Sequence, residues 1–410
     1  MLSIRKKIAV SASLVMATAG VVAFVQSASP ATSAPPALTR QARATVPVSI
    51  VPGVIGPGSS LQKAKQAKWA VIAKYGANKA GKKAKLQLQS GTSWVTAGKV
   101  KIDKKGVALF AVPPGFVSKP KTYRVDGPGR PSAPVSTTEW GTSADFVDDF
   151  GGTKLDLTKW GYRQGDYEPL SKRACSKASP KAVKVARGTA RLSVLIDKSR
   201  STLCKPKKPG KNVIYGKYRW RLNANIGTSG IHDITYGVVA ARIKFNPLPG
   251  QHASLWMQPT YLHDATNRGT EIDIIEWFGK DLPSGGLTSF VYAPSQSGKK
   301  LKISKTGFVK NPEQYLMNQK DDWFKRYHVF SVEWSPSGYI FRIDGQETGR
   351  ITRGVSNVPE YPILSLLSSD YELGKLPNEK KDLPQTMYVD WIRTWQDPAH
   401  LPPPAAVPAP

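Results

Sequence analysis

Glu271-Ile-Asp-Ile-Ile-Glu276 sets three carboxylates within six residues of strand-forming sequence. On a β-strand successive side chains alternate between faces, so Glu271 and Asp273 share one face while Ile272 and Ile274 point into a core. Glu276 falls on the wrong face of a regular strand. One extra residue, read as Ile275, has to be absorbed by a bulge, a device found beside active sites that re-aims a side chain. The kinked strand then collects all three carboxylates on one face. An ordinary half-exposed strand with an acidic solvent face is the alternative, but like charges along one strand face repel. Aromatic residues crowd the motif, with Trp256 before it and Trp277 and Phe278 after it. Acids flanked by rings suit a sugar, whose apolar C–H faces stack on rings while its hydroxyls meet polar groups.

Two carboxyls about 5–5.5 Å apart are what a retaining glycosidase uses, one as nucleophile and one as acid/base. The Glu-x-Asp-x-x-Glu pattern resembles the signature of glycoside hydrolase family 16 in its bulged, laminarinase-like form. The resemblance extends along the chain in family order. Phe146-Val-Asp-Asp-Phe150 with Leu157-Thr-Lys-Trp160 is similar to the opening strand, and Tyr236-Gly-Val-Val-Ala-Ala-Arg-Ile-Lys244 to a second. Ala253-Ser-Leu-Trp-Met-Gln-Pro259 resembles the strand before the catalytic one, although Gln258-Pro259 departs from the commoner ending. Tyr327–Trp334 with Tyr339–Gly345 resembles the late hairpin, and Tyr388–Gln396 the closing strand. The resemblance implies an all-β jelly-roll catalytic domain over 144–397, Glu271 as nucleophile, Glu276 as acid/base and Asp273 between them. It tilts the substrate towards a β-1,3-containing glucan cleaved within the chain.

At 410 residues the chain exceeds one typical domain. Residues 1–29 read as a secretory signal peptide, with Arg5, Lys6 and Lys7 ahead of an apolar run and small residues after it. A retained membrane anchor is the alternative, because the run approaches spanning length. Export predicts a secreted, extracellular protein, retained at the cell wall or free. It also predicts that Cys175 and Cys204, the only two cysteines, are paired.

An Ala/Pro/Ser-rich spacer spans 30–45. Short alternating runs such as Lys85–Gln89, Lys99–Asp103 and Val107–Val112 predict a small immunoglobulin-like β-sandwich over 46–127, with Trp94 in its core. A Pro/Gly-rich linker follows over 128–143, and a Pro/Ala-rich tail over 398–410. The formal net charge is +30. Between Val46 and Val135 sixteen Lys and Arg face two Asp, which points to an anionic partner such as a wall polymer. No nucleic-acid motif accompanies the charge.

For substrate binding the sequence nominates Trp256, Trp277, Tyr261, His252 and Tyr292. The five histidines have no metal-ligand spacing, so no metal or other cofactor is expected in the chemistry. The family resemblance allows a structural calcium, for which Asp149 and Asp390 could supply oxygens. The expected partners are a polysaccharide substrate and an anionic wall polymer, on a monomer. A non-catalytic wall-binding protein and a transglycosylase of the same fold are the competing readings.

Overall fold

Apolar residues at every second position, or in unbroken runs between turns, give strands throughout the part of the chain that the computed structural model describes. That part comprises residues 45–114, 119–141, 143–168, 172–206, 216–260, 269–280, 286–294, 301–318, 320–376 and 378–400. The leader, the spacer except Thr45, and residues 401–410 of the tail lie outside it. No helix among the described residues is long and apolar enough to cross a membrane.

The front of the chain runs through β1 (Val48–Ile55), β2 (Lys68–Lys74), β3 (Lys83–Ser90), β4 (Ser93–Lys101), β5 (Val107–Val112), β6 (Thr122–Asp126) and β7 (Val135–Ser136). They form two sheets, β1-β2-β5 and β4-β3-β6-β7. Ile50, Trp69, Val71, Leu86, Phe110, Tyr123 and Val125 pack between them. Trp94, expected in this core, is half-buried on the outer face of β4, where the Arg124 guanidinium lies 4.4 Å from its ring centre. The cause is an irregularity where β3 meets β4, between Leu86 and Gln87, which puts Trp94 opposite Gln89 on the outward side. The stretch expected as a linker carries β7 and a 3-10 turn, Thr137–Trp140.

The rest of the chain contributes β8 (Phe146–Asp148), β9 (Gly161–Tyr162), β10 (Ser176–Ala178), β11 (Val183–Ala186), β12 (Thr189–Ile196), β13 (Arg221–Gly227), β14 (Gly237–Lys244) and β15 (His252–Pro259). It continues with β16 (Glu271–Trp277), β17 (Leu287–Pro294), β18 (Leu301–Phe308), β19 (His328–Ser335), β20 (Gly338–Ile343), β21 (Gln346–Ile351), β22 (Glu360–Leu367) and β23 (Gln385–Gln396). One layer runs β18-β17-β16-β15-β22-β13 and the other β12-β23-β14-β19-β20-β21, joined where β12 pairs with β13. Between the layers lie Leu255, Met257, Ile272, Val291 and Leu364 from the first and Val239, Ala241, Phe330, Val332 and Val389 from the second. The architecture is all-β, two antiparallel layers over one core. Cys175 and Cys204 form a disulfide across 29 residues of the stretch before β13.

The second layer does not face water over its whole outer side. In β2 the run Trp69-Ala-Val-Ile-Ala73 is apolar at both parities, as in strands buried on both faces. Trp69, Val71 and Ala73 enter the front module's own core. Ala70 and Ile72 turn the other way and, with Val51, Val54 and Ile55, pack on Val238, Ala240, Val329, Trp391 and Trp395. Gly53, at φ +55°, sits where any Cβ would collide with the Trp395 ring. Polar contacts seal the seam. Arg242 donates to the carbonyls of Gly56, Ser60 and Gly58 at 2.6, 3.0 and 3.0 Å and pairs with Asp390. The indole of Trp140 donates to the Ile50 carbonyl at 2.7 Å.

Candidate active site

Strand β16 supplies the acids. Against β15 the register runs Ser254 opposite Glu276, Leu255 opposite Ile275 and Trp256 opposite Asp273, so Ile274 is the extra residue. Against β17 both Ile274 and Ile275 fall between the pairs Asp273–Phe290 and Glu276–Thr288. The expected bulge is present, but the residue it absorbs beside β15 is Ile274 rather than Ile275. Ile272, Ile274 and Ile275 all enter the core between the layers. Cross-strand pairing therefore puts Glu271, Asp273 and Glu276 on the outer face of the first layer, beside Tyr292, Phe290 and Thr288 of β17.

The neighbouring strand aims its even-numbered residues at this face, while Ala253, Leu255 and Met257 go to the core. His252 Nε2 forms a short hydrogen bond with Glu276 Oε1, and its ring stacks on Phe278 with centroids 4.6 Å apart. Trp256 is half-buried and donates its indole N–H to Ser365 Oγ at 3.1 Å. Gln258 hydrogen-bonds through its side chain to Glu271. Its Oε1 accepts from Arg163 Nη2 at 2.9 Å and from the Tyr361 hydroxyl at 3.2 Å. With the carbonyl end held by two donors, the amide N–H₂ end is the one presented to Glu271. Arg163 reaches Gln258 from beyond β9 by crossing β13 at Gly227, where a Cβ would lie 3.2 Å from Arg163 Cδ. Its guanidinium lies 5.4 Å from the Trp256 ring centre.

Electrostatics within the cluster are those of crowded acids. Burial raises Glu271, and the charge of Glu276 adds to it, while the Gln258 hydrogen bond and the charges of His252 and Arg173 pull the other way. Asp273 is 3 % exposed and one of its carboxyl oxygens has no hydrogen-bond partner. Burial, then Glu276 and Glu271, hold its proton well above the ordinary range. For His252 burial opposes the charged ring, yet Glu276 and Glu372 raise it above its usual value. Behind Glu271, Glu360 accepts a hydrogen bond from Thr270 N at 2.9 Å and is pushed up to about 8 by burial, with the charge of Glu271 adding to it.

Of the nominated sugar-binding residues, His252, Trp256 and Tyr292 lie on the face of the acids. Trp277 does not. It is 1 % exposed, stacks on Phe245 at 5.6 Å between the layers and donates its indole N–H to the Asn246 carbonyl. Alternation resumes after the bulge, so the residue that follows Glu276 must point inward. Tyr261 lies outside the described residues. Gln258, Arg163, Tyr361 and Glu360 were not nominated; Gln258 alone gave a signal, as a polar residue in phase with His252 and Trp256.

Among the described residues no group of three or more His, Cys, Asp or Glu is placed to hold a metal ion. Asp149 and Asp390, the residues considered for a calcium, each meet protein donors. Asp390 is neutralised by Arg242 and accepts from Gln62 N at 2.9 Å, and Asp149 accepts from Ala64 N at 2.6 Å. These contacts engage one oxygen of each carboxylate.

The chain is 26% identical over 314 residues to the glucan endo-1,3-beta-glucosidase A1 of Niallia circulans, a match over 69% of this chain and 42% of that protein. It thus spans less than half the length of that relative. Similar solved structures include the laminarinase catalytic domain from Thermotoga maritima MSB8, with 19% identity, a TM-score of 0.46, and coverage of 62% of this chain and 98% of that one. The endo-beta-1,3-glucanase from Pyrococcus furiosus has 20% identity, a TM-score of 0.45, and coverage of 62% and 94%. The model of glycosyl hydrolases family 16 matches residues 178–393, more than half of the chain and the span that carries every acid of the site, and the chain belongs to that family.

Proposed function

We propose that the protein is a secreted, retaining, endo-acting glycosidase of β-1,3-containing glucan, with Glu271 as nucleophile and Glu276 as acid/base. What carries the reading is the pairing of the three bulge-gathered carboxylates with two different partners. Glu271 has a neutral amide donor that steadies its charge, whereas Glu276 has an imidazole that can pass a proton. Nucleophile and acid need such different surroundings. The relative from Niallia circulans, a glucan endo-1,3-beta-glucosidase, supports this choice of linkage.

In the first step the proton held along the His252–Glu276 hydrogen bond goes to the glycosidic oxygen. A Glu271 oxygen attacks the anomeric carbon, and the carbon–oxygen bond to the leaving sugar breaks. In the second, water attacks the same carbon and gives its proton back to Glu276, and the Glu271 ester is released. Asp273, holding its own proton, keeps a second negative charge away from Glu271. Trp256 offers a ring for a pyranose to stack on.

The test is hydrolysis of laminarin, with the anomer of the new reducing end read by NMR. The β-anomer should form first. Glu271→Gln and Glu276→Gln should each lower kcat by about 10²–10⁴-fold. With an activated aryl β-glycoside and azide, Glu271→Ala should yield the α-glycosyl azide and Glu276→Ala the β-glycosyl azide. Initial release of the α-anomer, or full activity without either glutamate, would end this reading.

A further inference from the structure

The outer face of the front module's second sheet has an arrangement that folding alone disfavours. In the β3–β4 register Lys83 lies directly opposite Lys101, and Lys85 directly opposite Lys99. All four are exposed. Residues opposed in this way share a face with side chains about 5 Å apart, where like charges repel. The two pairs are separated along the strands by only about 7 Å. Among the described residues the one acid within ion-pair reach of the four is Asp126, 3.6 Å from Lys85. The core does not ask for these lysines, since Ala84 and Leu86 of β3 face inward between them. Thr, Gln or Ser would make the same strands without the repulsion.

The row continues on the same face. Gln87 stands opposite Arg124, and Trp94 opposite Gln89. Arg124 Nε donates to Gln87 Oε1 at 2.7 Å while its guanidinium covers one side of the Trp94 ring. A strip of four cations thus runs into one of amides, a guanidinium and an indole. The module's other sheet is the one buried against the catalytic layers, so this face lies away from the seam except at its end, where Lys101 lines a cleft with Gln346 and Glu347.

We propose that the outer face of β4-β3-β6 is a docking surface for an acidic polysaccharide, whose carboxylates meet Lys83, Lys85, Lys99 and Lys101 and whose sugar rings meet Trp94, Gln87 and Gln89. Opposed lysines gain their counter-ions from the polymer, and the ring and amides select a sugar backbone over a bare string of charges. The choice of a polysaccharide rests on the function proposed above, but the binding does not pass through the face that carries Glu271.

Retention of the full chain by polygalacturonate is the measurement, read by affinity electrophoresis over a salt series, with laminarin hydrolysis followed separately. Replacing the four lysines by Gln should weaken retention by about tenfold to a hundredfold. It should leave laminarin turnover unchanged and the melting temperature unchanged or raised. Replacing Lys181, Lys184, Lys198 and Lys205, four exposed lysines elsewhere, removes the same charge and should leave retention nearly intact. Trp94→Ala should weaken binding to polygalacturonate and not to inorganic polyphosphate. Equal losses in the two lysine variants would reduce the effect to overall charge and overturn the surface. Polyphosphate held as tightly as polygalacturonate would overturn the polysaccharide. Retention without any glucan hydrolysis would uphold the surface and count only against the enzymatic reading.

Discussion

Glu360 opens β22 with its side chain fully buried, held by Thr270 N and the side chain of Ser356. A neutral acid is tolerable there; an anion is not. Its folded-state value of about 8 lies above the ordinary 4.5, so the folded protein keeps this proton where the unfolded chain has lost it. The contribution to stability is fully present below pH 4.5 and is lost as pH rises towards 8. Glu360→Gln mimics the protonated form, since its amide oxygen can still accept from Thr270 N. The variant should match the wild type at pH 5 and be more stable by about 1–3 kcal/mol at pH 8, as measured by urea unfolding at both values. An identical pH dependence in the two proteins would show that Glu360 is already ionised. Residues of this kind were not legible in the sequence. Glu271, Asp273 and Glu276 announce themselves through strand parity within six positions. The parts played by Glu360, Arg163 and Tyr361 exist only because β22 lies beside β15, and β9 beside β13, which no local pattern states.

The bulge in β16 is legible as a necessity but not as a location. Parity says that one residue between Asp273 and Glu276 must be extra, and two adjacent isoleucines satisfy it equally well. The core accepts both Ile274 and Ile275, and the neighbouring register, not the hydrophobicity, chooses between them. The same arithmetic gives a test. Deleting Ile274 leaves Glu-Ile-Asp-Ile-Glu, in which plain alternation still puts all three acids on one face. The variant should fold cooperatively and retain laminarin turnover, with kcat/KM lowered about 10²-fold because the outer two carboxyls are drawn together. Activity at background level in a well-folded deletion would mean that the bulge sets more than the face. Trp277 illustrates the cost of reading composition over parity. An aromatic beside an acid looks like a sugar platform, yet the residue after Glu276 can only turn inward.

At the scale of the molecule, the front module reads in sequence as a separate bead on a proline-rich string. Its run Trp69–Ala73 does say that β2 is buried on both sides, but not against what. The answer is the outer side of β14, β19 and β23. From the sequence one would expect the catalytic part to survive without its companion. The structure argues the reverse. Removing residues 45–143 would bare Trp391, Trp395, Val238, Ala240 and Val329, each large side chain worth about 1.5–3 kcal/mol when buried. It would also strip Arg242 of three carbonyl acceptors. The truncated protein should aggregate or melt well below the full chain in a thermal scan. A soluble, active fragment melting within a few degrees of the parent would show that the seam is dispensable. If the seam holds, the two parts cannot be swapped like cartridges by cutting at the prolines; an engineer must carry the Gly53 notch and its matching indole together. Nor do the three acids swing on a tether. Whatever polymer the front face grips, the carboxylates meet it at one fixed offset, so the protein would crop strands passing at a set distance rather than sweep the area around an anchor.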